Sequence, residues 1–320
     1  MRIKLTIIIL LTITLFSCSN NNKNNSNTSY TFVTLKGPSS LGIVKLADSL
    51  VINRDSTLKI KIVDEPMIAR KMMLEGTADF CALPTTMAAV LYNKGFNYKL
   101  IAVPVWGTLY LFGNKNIIVN SWNDLKGKRI YVIAKGMTPD LLLQYLLRKN
   151  GVNPHKDVTL DYSFPTHIDL ANAVAAGRAE IGIISEPYVS LVMQKNPNII
   201  PLMDLNTEWS KIQGISITET ALLVKSEIIE NNPQFVDRII NDYKKSTIWV
   251  NEHHSNAAEL IVKFGILPDT NSALRAIPYS NLNVIESKKV KDNINDYLKV
   301  FYNMAPESIG GKLPDEKFYY

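Results

Sequence analysis

The chain predicts an α/β protein built as two lobes. Two observations carry that expectation. Beyond residue 30, short apolar strand-like runs alternate with amphipathic helical ones. One pattern also occurs twice: Gly76-Thr77-Ala78-Asp79, an apolar strand and Pro84 recur as Gly177-Arg178-Ala179-Glu180, an apolar strand and Pro187. Each copy places a helix start just beyond the carboxyl end of a strand. Chance similarity is the alternative reading. At 320 residues and 46% hydrophobic side chains the sequence has material for two cores, which excludes global disorder.

Taken in order, residues 30–36 read as a strand, followed by Gly37-Pro38-Ser39-Ser40 and an amphipathic helix to residue 50. A strand at 58–63 leads through Glu65-Pro66 into a helix over 67–75. A third strand at 79–83 gives way at Pro84-Thr85-Thr86 to a helix stopped by Gly95. Residues 99–112 form one long extended run through Val105-Trp106-Gly107. A strand at 128–134 precedes Gly136-Met137-Thr138-Pro139, where Thr138 suits an N-cap and Pro139 the first helical turn. Gly151 ends that helix. Residues 180–184 form a strand that passes through Ser185-Glu186-Pro187 into a helix, and 215–224 form another. Helices at 232–250, 256–264 and 287–302 complete the chain. The expected lobes are 30–113 with 215–320, and 114–214, with crossings near 113–117 and 213–215.

The amino terminus has the form of an export signal. Basic Arg2 and Lys4 precede an uncharged apolar run over residues 5–16. As a helix that run spans about 18 Å, short of the ~30 Å hydrocarbon core of a bilayer. It therefore reads as a signal peptide over residues 1–17. Leu15-Phe16-Ser17-Cys18 resembles a bacterial lipobox, in which the cysteine sulfur is acylated and cleavage falls just before it; Phe16 departs from the small residue preferred there. Residues 18–29, rich in Asn and Ser, suit a polar tether. The expectation is an exported protein, lipid-anchored through Cys18 to the outer face of a bacterial membrane, in the periplasm or at the cell surface.

Charge and cysteine content exclude other classes. The net charge of +6 falls to +4 without Arg2 and Lys4, and the remaining lysines are interleaved with acids. No basic stripe points to nucleic acid. Cys18 and Cys81 are the two cysteines, too few for a disulfide scaffold or a four-thiolate zinc site. His155, His167, His253 and His254 belong to no nucleophile–base or metal-ligand pattern. His167, at a helix start near the expected cleft, is the one to follow. No cofactor or metal and no catalytic residue is expected.

In open α/β sheets, ligands sit outside the carboxyl ends of strands. Four such places carry small polar residues at helix starts: Ser39-Ser40, Thr85-Thr86, Met137-Thr138 and Ser185-Glu186. Free backbone N–H groups there favour anionic or acceptor groups. Each could equally be an ordinary cap, but four at matching positions point to one cleft. Trp106, beside Gly107, reads either as an aromatic platform for a flat ligand or as a core residue. Tyr110 and Tyr188 are weaker candidates of the same kind.

Several stretches together carry a family resemblance: Leu125-Lys126-Gly127-Lys128-Arg129-Ile130, the helix from Leu141 to Gly151 with Asn153-Pro154, Ala175-Ala176-Gly177-Arg178-Ala179-Glu180, Glu186-Pro187, and Asn232-Pro233-Gln234-Phe235-Val236 with Trp249 and Asn256-Ala257-Ala258. They resemble the solute-binding proteins of ABC importers in the nitrate/sulfonate/taurine and thiamine-pyrimidine-precursor group, over residues 30–302. The resemblance implies a type II periplasmic-binding-protein fold, two α/β lobes joined by two hinge crossings. It implies a monomer that captures a small organic solute (a sulfonate, a pyrimidine or thiamine precursor, or another heteroaromatic) and delivers it to a membrane permease with a separate ATPase subunit. Contacts would come from Ser39, Ser40, Thr85, Thr86, Trp106, Gly107, Gly136, Met137, Thr138, Glu186 and Pro187. No Arg falls among them to grip an oxyanion bidentately, which tilts the expectation to a neutral or weakly anionic solute. The alternatives are a ligand-sensing lipoprotein, or a pyrimidine- or menaquinone-pathway enzyme of similar shape. The isolated Cys81, in place of a Cys-rich signature, argues against the pyrimidine-forming enzymes.

Overall fold

The computed structural model describes residues 29–320; the leader, Cys18 and the tether up to residue 28 lie outside the described residues. The chain begins as β1 (Tyr30–Leu35), α1 (Pro38–Ile52), β2 (Leu58–Val63), α2 (Pro66–Leu74), β3 (Phe80–Pro84), α3 (Thr85–Asn93) and β4 (Tyr98–Trp106). Aromatic and β-branched residues fill β1, which suits a pleated surface covered on both faces. The edge strand β2 alternates Lys59 and Lys61 with apolar residues, a pattern that blunts an exposed edge.

A second unit follows: β5 (Leu109–Asn114), β6 (Arg129–Val132), α4 (Thr138–Lys149), β7 (Thr159–Asp161), α5 (His167–Ala175), β8 (Ile181–Ser185), α6 (Tyr188–Lys195), β9 (Ile199–Asp204) and α7 (Leu205–Gln213). The chain then returns through β10 (Thr218–Lys225), α8 (Ser226–Asn231), α9 (Pro233–Glu252), α10 (His254–Lys263), α11 (Thr270–Ala276), β11 (Leu282–Glu286) and α12 (Lys291–Met304).

The strands form two sheets, ordered β11-β4-β10-β3-β1-β2 and β7-β6-β8-β5-β9. They are built alike. In the first, β1 pairs in parallel with β2 and β3, and β10 lies antiparallel to β3. In the second, β6 pairs in parallel with β7 and β8, and β5 lies antiparallel to β8. β10 and β5, the antiparallel neighbours of β3 and β8, are the strands that arrive from the other lobe. The repeated sequence pattern marks equivalent places: Gly76 and Gly177, both left-handed, close α2 and α5 ahead of β3 and β8.

One expectation is corrected here. Residues 99–112 are not one strand within one lobe. The run breaks at Gly107-Thr108, and β5 belongs to the second sheet, so the first crossing precedes the expected 113–117. Glycine is required at the break, because residue 107 has φ +50° and a Cβ there would lie 2.4 Å from Asn206 Oδ1.

The apolar core continues between lobes on the α3/α4/α12 side. Trp209 on α7 is fully buried and meets Tyr297 on α12 edge-on, with ring centroids 5.5 Å apart. Such a pair is worth about 0.5–1.5 kcal/mol beyond its buried area. On the other side Gln194 of α6 donates to Asp269 Oδ1 at 3.1 Å and accepts from the Ser272 hydroxyl at α11.

Candidate binding cleft

Of the helix starts expected to form a site, those of α3 and α4 meet across the gap between the two sheets. Thr86, in the first turn of α3, and Thr138, at the first residue of α4, place their hydroxyls 2.7 Å apart across the gap. Thr85 turns the other way and donates to the Thr218 carbonyl at 2.5 Å, fixing α3 to the start of β10. The neighbouring Glu219 carboxylate accepts from the backbone N–H of Thr108 and, at 2.8 Å, from its hydroxyl. The Thr108 carbonyl in turn accepts from Glu186 N at 3.0 Å. Direct hydrogen bonds therefore connect α3, both crossings and the turn before α6.

Ser39 and Ser40 open α1 at the carboxyl end of β1, beside β3. Both are buried, and both are committed locally. Ser39 accepts from Thr34 Oγ1 at 2.9 Å, and the Ser40 hydroxyl donates to the Gly37 carbonyl at 2.8 Å. Gly136 donates to Asp140 at 2.7 Å, and Met137 stands exposed at the lip of α4. Pro187 follows Glu186 through a cis peptide and caps α6.

Trp106 and Gly107 are not drawn into this arrangement. The Trp106 indole is 9% exposed and donates to the Asn283 carbonyl at 2.7 Å. It borders a separate groove along β11 whose lining includes none of Ser39, Ser40, Thr85, Thr86, Thr138 or Glu186. Gly107 is the crossing itself, its carbonyl held by Asn281 at 2.6 Å.

Electrostatically the two lobes differ. The first turns of α1 and α3 carry no acidic residue, so their positive ends are open to an acceptor group. In the second lobe Asp140 occupies the start of α4, accepting from Gly136, Gln144 and Tyr162. Asp169 stands in the first turn of α5. Glu186 accepts from the Ser190 N–H and hydroxyl at the start of α6. Burial pushes the Glu186 carboxyl up to about 7, partly offset by those bonds, and raises Glu219 as well. His167, at the start of α5, lies flat against Tyr188 with centroids 5.0 Å apart; burial lowers it to about 4, and its Nδ1 has no partner. The Tyr110 phenol donates across the gap to the Tyr279 carbonyl at 3.2 Å. Burial, then the charges of Asp204, Glu186 and Glu219, pushes its pKa well up and keeps the phenol protonated.

Sequence reasoning missed Thr108, Thr218 and Glu219. Thr218-Glu219-Thr220, polar residues opening an otherwise apolar strand, was the available signal. Among the described residues no group of three or more His, Cys, Asp or Glu is placed to hold a metal, and no helix is long and apolar enough to cross a membrane.

Two like-built lobes with helix starts meeting across a gap have close counterparts. Residues 43–243, more than half of the chain, match the family described as ABC transporter, phosphonate, periplasmic substrate-binding protein. The chain belongs to that family. Among solved structures it resembles an ABC transporter protein from Parabacteroides distasonis, with 24% identity and TM-score 0.78 over 92% of this chain and 99% of that one. It also resembles the aliphatic sulphonate binding protein SsuA of Escherichia coli, with 15% identity and TM-score 0.72 over 90% and 92%. The periplasmic nitrate-binding protein NrtA of Synechocystis follows, with 11% identity and TM-score 0.63 over 88% and 84%. These likenesses show the two-lobed fold. The binding protein YtlA of Bacillus subtilis is 25% identical over 144 residues, 45% of this chain and 41% of that protein. The match thus spans less than half of that curated relative.

Proposed function

We propose that this protein is the capture subunit of an ABC importer, binding a small organic solute between its lobes and delivering it to a membrane permease that works with a separate ATPase subunit. The reading rests above all on the Thr86–Thr138 contact, which brings helix starts of both lobes to the same point. The mechanism is binding without chemistry. Ligand favours the closed form because only there do both lobes touch it. Thr86, Thr138, Glu186 and the α1 turn of Ser39 and Ser40 line the site, Thr85 holds α3 in place behind it, and Gly136, Met137 and Pro187 shape its second-lobe wall. Tyr110, His167 and Tyr188 extend that wall. Trp106 and Gly107 support the hinge.

The charge asymmetry refines the solute. An acceptor or anionic end suits the acid-free starts of α1 and α3, and an N–H-bearing end suits Glu186. Sulfonates, phosphonates and aminated heteroaromatics that carry both ends fit this description; a bare oxyanion uses half of it.

A thermal-shift panel of alkylphosphonates, aminoalkylphosphonates, sulfonates, nitrate and aminopyrimidines tests the proposal. A ligand at about a hundredfold its Kd stabilises by about 2.7 kcal/mol. Solutes with both ends should give the largest shift. No shift from any member would refute this choice of solute. The anchor at Cys18 is proposed on the sequence alone: Cys18→Ser should release the protein from membranes, and continued attachment would defeat it.

A further inference from the structure

We propose that the groove along β11 is a second binding site, distinct from the cleft, for a neutral saccharide. The groove encloses about 630 Å³ at the hinge. Five amides line it: Asn206, Asn251, Asn281, Asn283 and Asn293. No Asp, Glu, Lys or Arg is among its lining residues, and His254 is its one titratable side chain. A charged ligand would give up hydration there without gaining an ionic partner. A hydroxyl both donates and accepts, and so does each amide.

Three of the amides are held in place from behind. Asn206 Oδ1 accepts from Ile217 N at 2.9 Å, Asn251 Nδ2 donates to the Leu282 carbonyl at 3.0 Å, and Asn281 Nδ2 donates to the Gly107 carbonyl at 2.6 Å. One end of each is spent on backbone, which fixes its rotamer. The other end, a donor on Asn206 and an acceptor on Asn251 and Asn281, remains for a ligand. Groups ordered before binding lose less entropy on binding. Ile277, Ile285 and Val290 supply apolar wall for the C–H faces of a sugar ring.

The position couples the groove to lobe motion. Asn206, at the start of α7, holds Ile217 in the return crossing, while Asn281 holds Gly107 in the first crossing. A ligand bonded to both amides touches both crossings, so its affinity must differ between open and closed lobes wherever the groove changes shape.

The test uses residues 19–320 with glucose and maltose as probes, followed by ¹⁵N NMR of the backbone amides, the asparagine side-chain amides and the Trp106 indole. The expected result is a saturable shift at Trp106, Asn283 and Asn293, with Thr86 and Thr138 unmoved. The double variant Asn283→Ala/Asn293→Ala, whose side chains lie at the groove surface, should bind the sugar about tenfold more weakly while melting like the parent protein. A variant that melts earlier is replaced by Asn283→Ser/Asn293→Ser for the same comparison. Absence of saturable shifts with either sugar overturns the proposal. So do shifts centred on Thr86 and Thr138, or variants that bind like the parent. Failure here leaves the cleft reading untouched, because the panel for that site reports separately.

Discussion

Gly107→Ala puts the hinge geometry to a quantitative test. The added Cβ would stand 2.4 Å from Asn206 Oδ1 and 2.6 Å from its Cγ, and φ at this residue is +50°. An L side chain in that backbone region costs about 1–2 kcal/mol. Asn206 must also move, which strips the acceptor from the buried Ile217 N–H. An unpaired buried N–H costs about 1–3 kcal/mol. The sum is about 2–5 kcal/mol, or about 3–8 °C in melting temperature for a chain of this size. Circular dichroism melts of Gly107→Ala, Asn206→Ala and the double variant read both parts. Both singles strip the same acceptor from the Ile217 N–H, while Asn206→Ala still leaves its Cβ 2.7 Å from the added one. Through the shared loss, the double variant should be more stable than the sum of the singles predicts, by about 1 kcal/mol or more. Additive losses, or an unshifted Gly107→Ala, would refute the account of the crossing.

Other predictions concern the cleft. A double-mutant cycle of Thr86→Val and Thr138→Val should give a coupling of about 1 kcal/mol in urea unfolding; zero coupling would mean the lobes do not meet there in solution. Glu186 holds its proton to about pH 7 when folded against an ordinary 4.5, so the folded state binds the extra proton between those values. Stability is then lost as pH rises through that window, by about 3 kcal/mol. Glu186→Gln should therefore gain on the parent protein between about pH 5 and pH 8; a pH-independent difference would count against the buried carboxylate. His167 acts in the opposite sense, since it resists protonation down to about 4 when folded against an ordinary 6.5, and costs stability as pH falls through that range. Trp106→Ala removes a core side chain, with an expected loss of about 3–5 kcal/mol in denaturant titration. A loss below about 1 kcal/mol would return Trp106 to the ligand.

The alternation of strands and helices was legible because each strand near the site is a compact apolar run closed by Gly, Pro or Thr. The starts of α1, α3 and α4 were legible for the same reason. What was not legible depends on partners distant in sequence. Residues 100–112 are apolar apart from Thr108, and only Gly107-Thr108 betrays that the run serves two sheets. The short strands β7, β9 and β11 have three to six residues, and Pro201 interrupts β9, which its edge position tolerates. Trp106 followed an apolar strand whether it faced a ligand or the core; the Asn283 carbonyl, 177 residues away, decides for the core. Glu219 gained its meaning only when Thr108 was brought against it.

Native mass spectrometry, with a plugged cleft as control, tests the central claim most directly. Residues 19–320 and their Thr138→Trp variant would be incubated with the small-molecule fraction of the host's growth medium, and their masses compared. A solute held between the lobes predicts one stoichiometric adduct on the parent protein and none on the folded variant. Equal adducts on both would place the solute elsewhere, and no adduct on the parent from complete medium would contradict a capture protein.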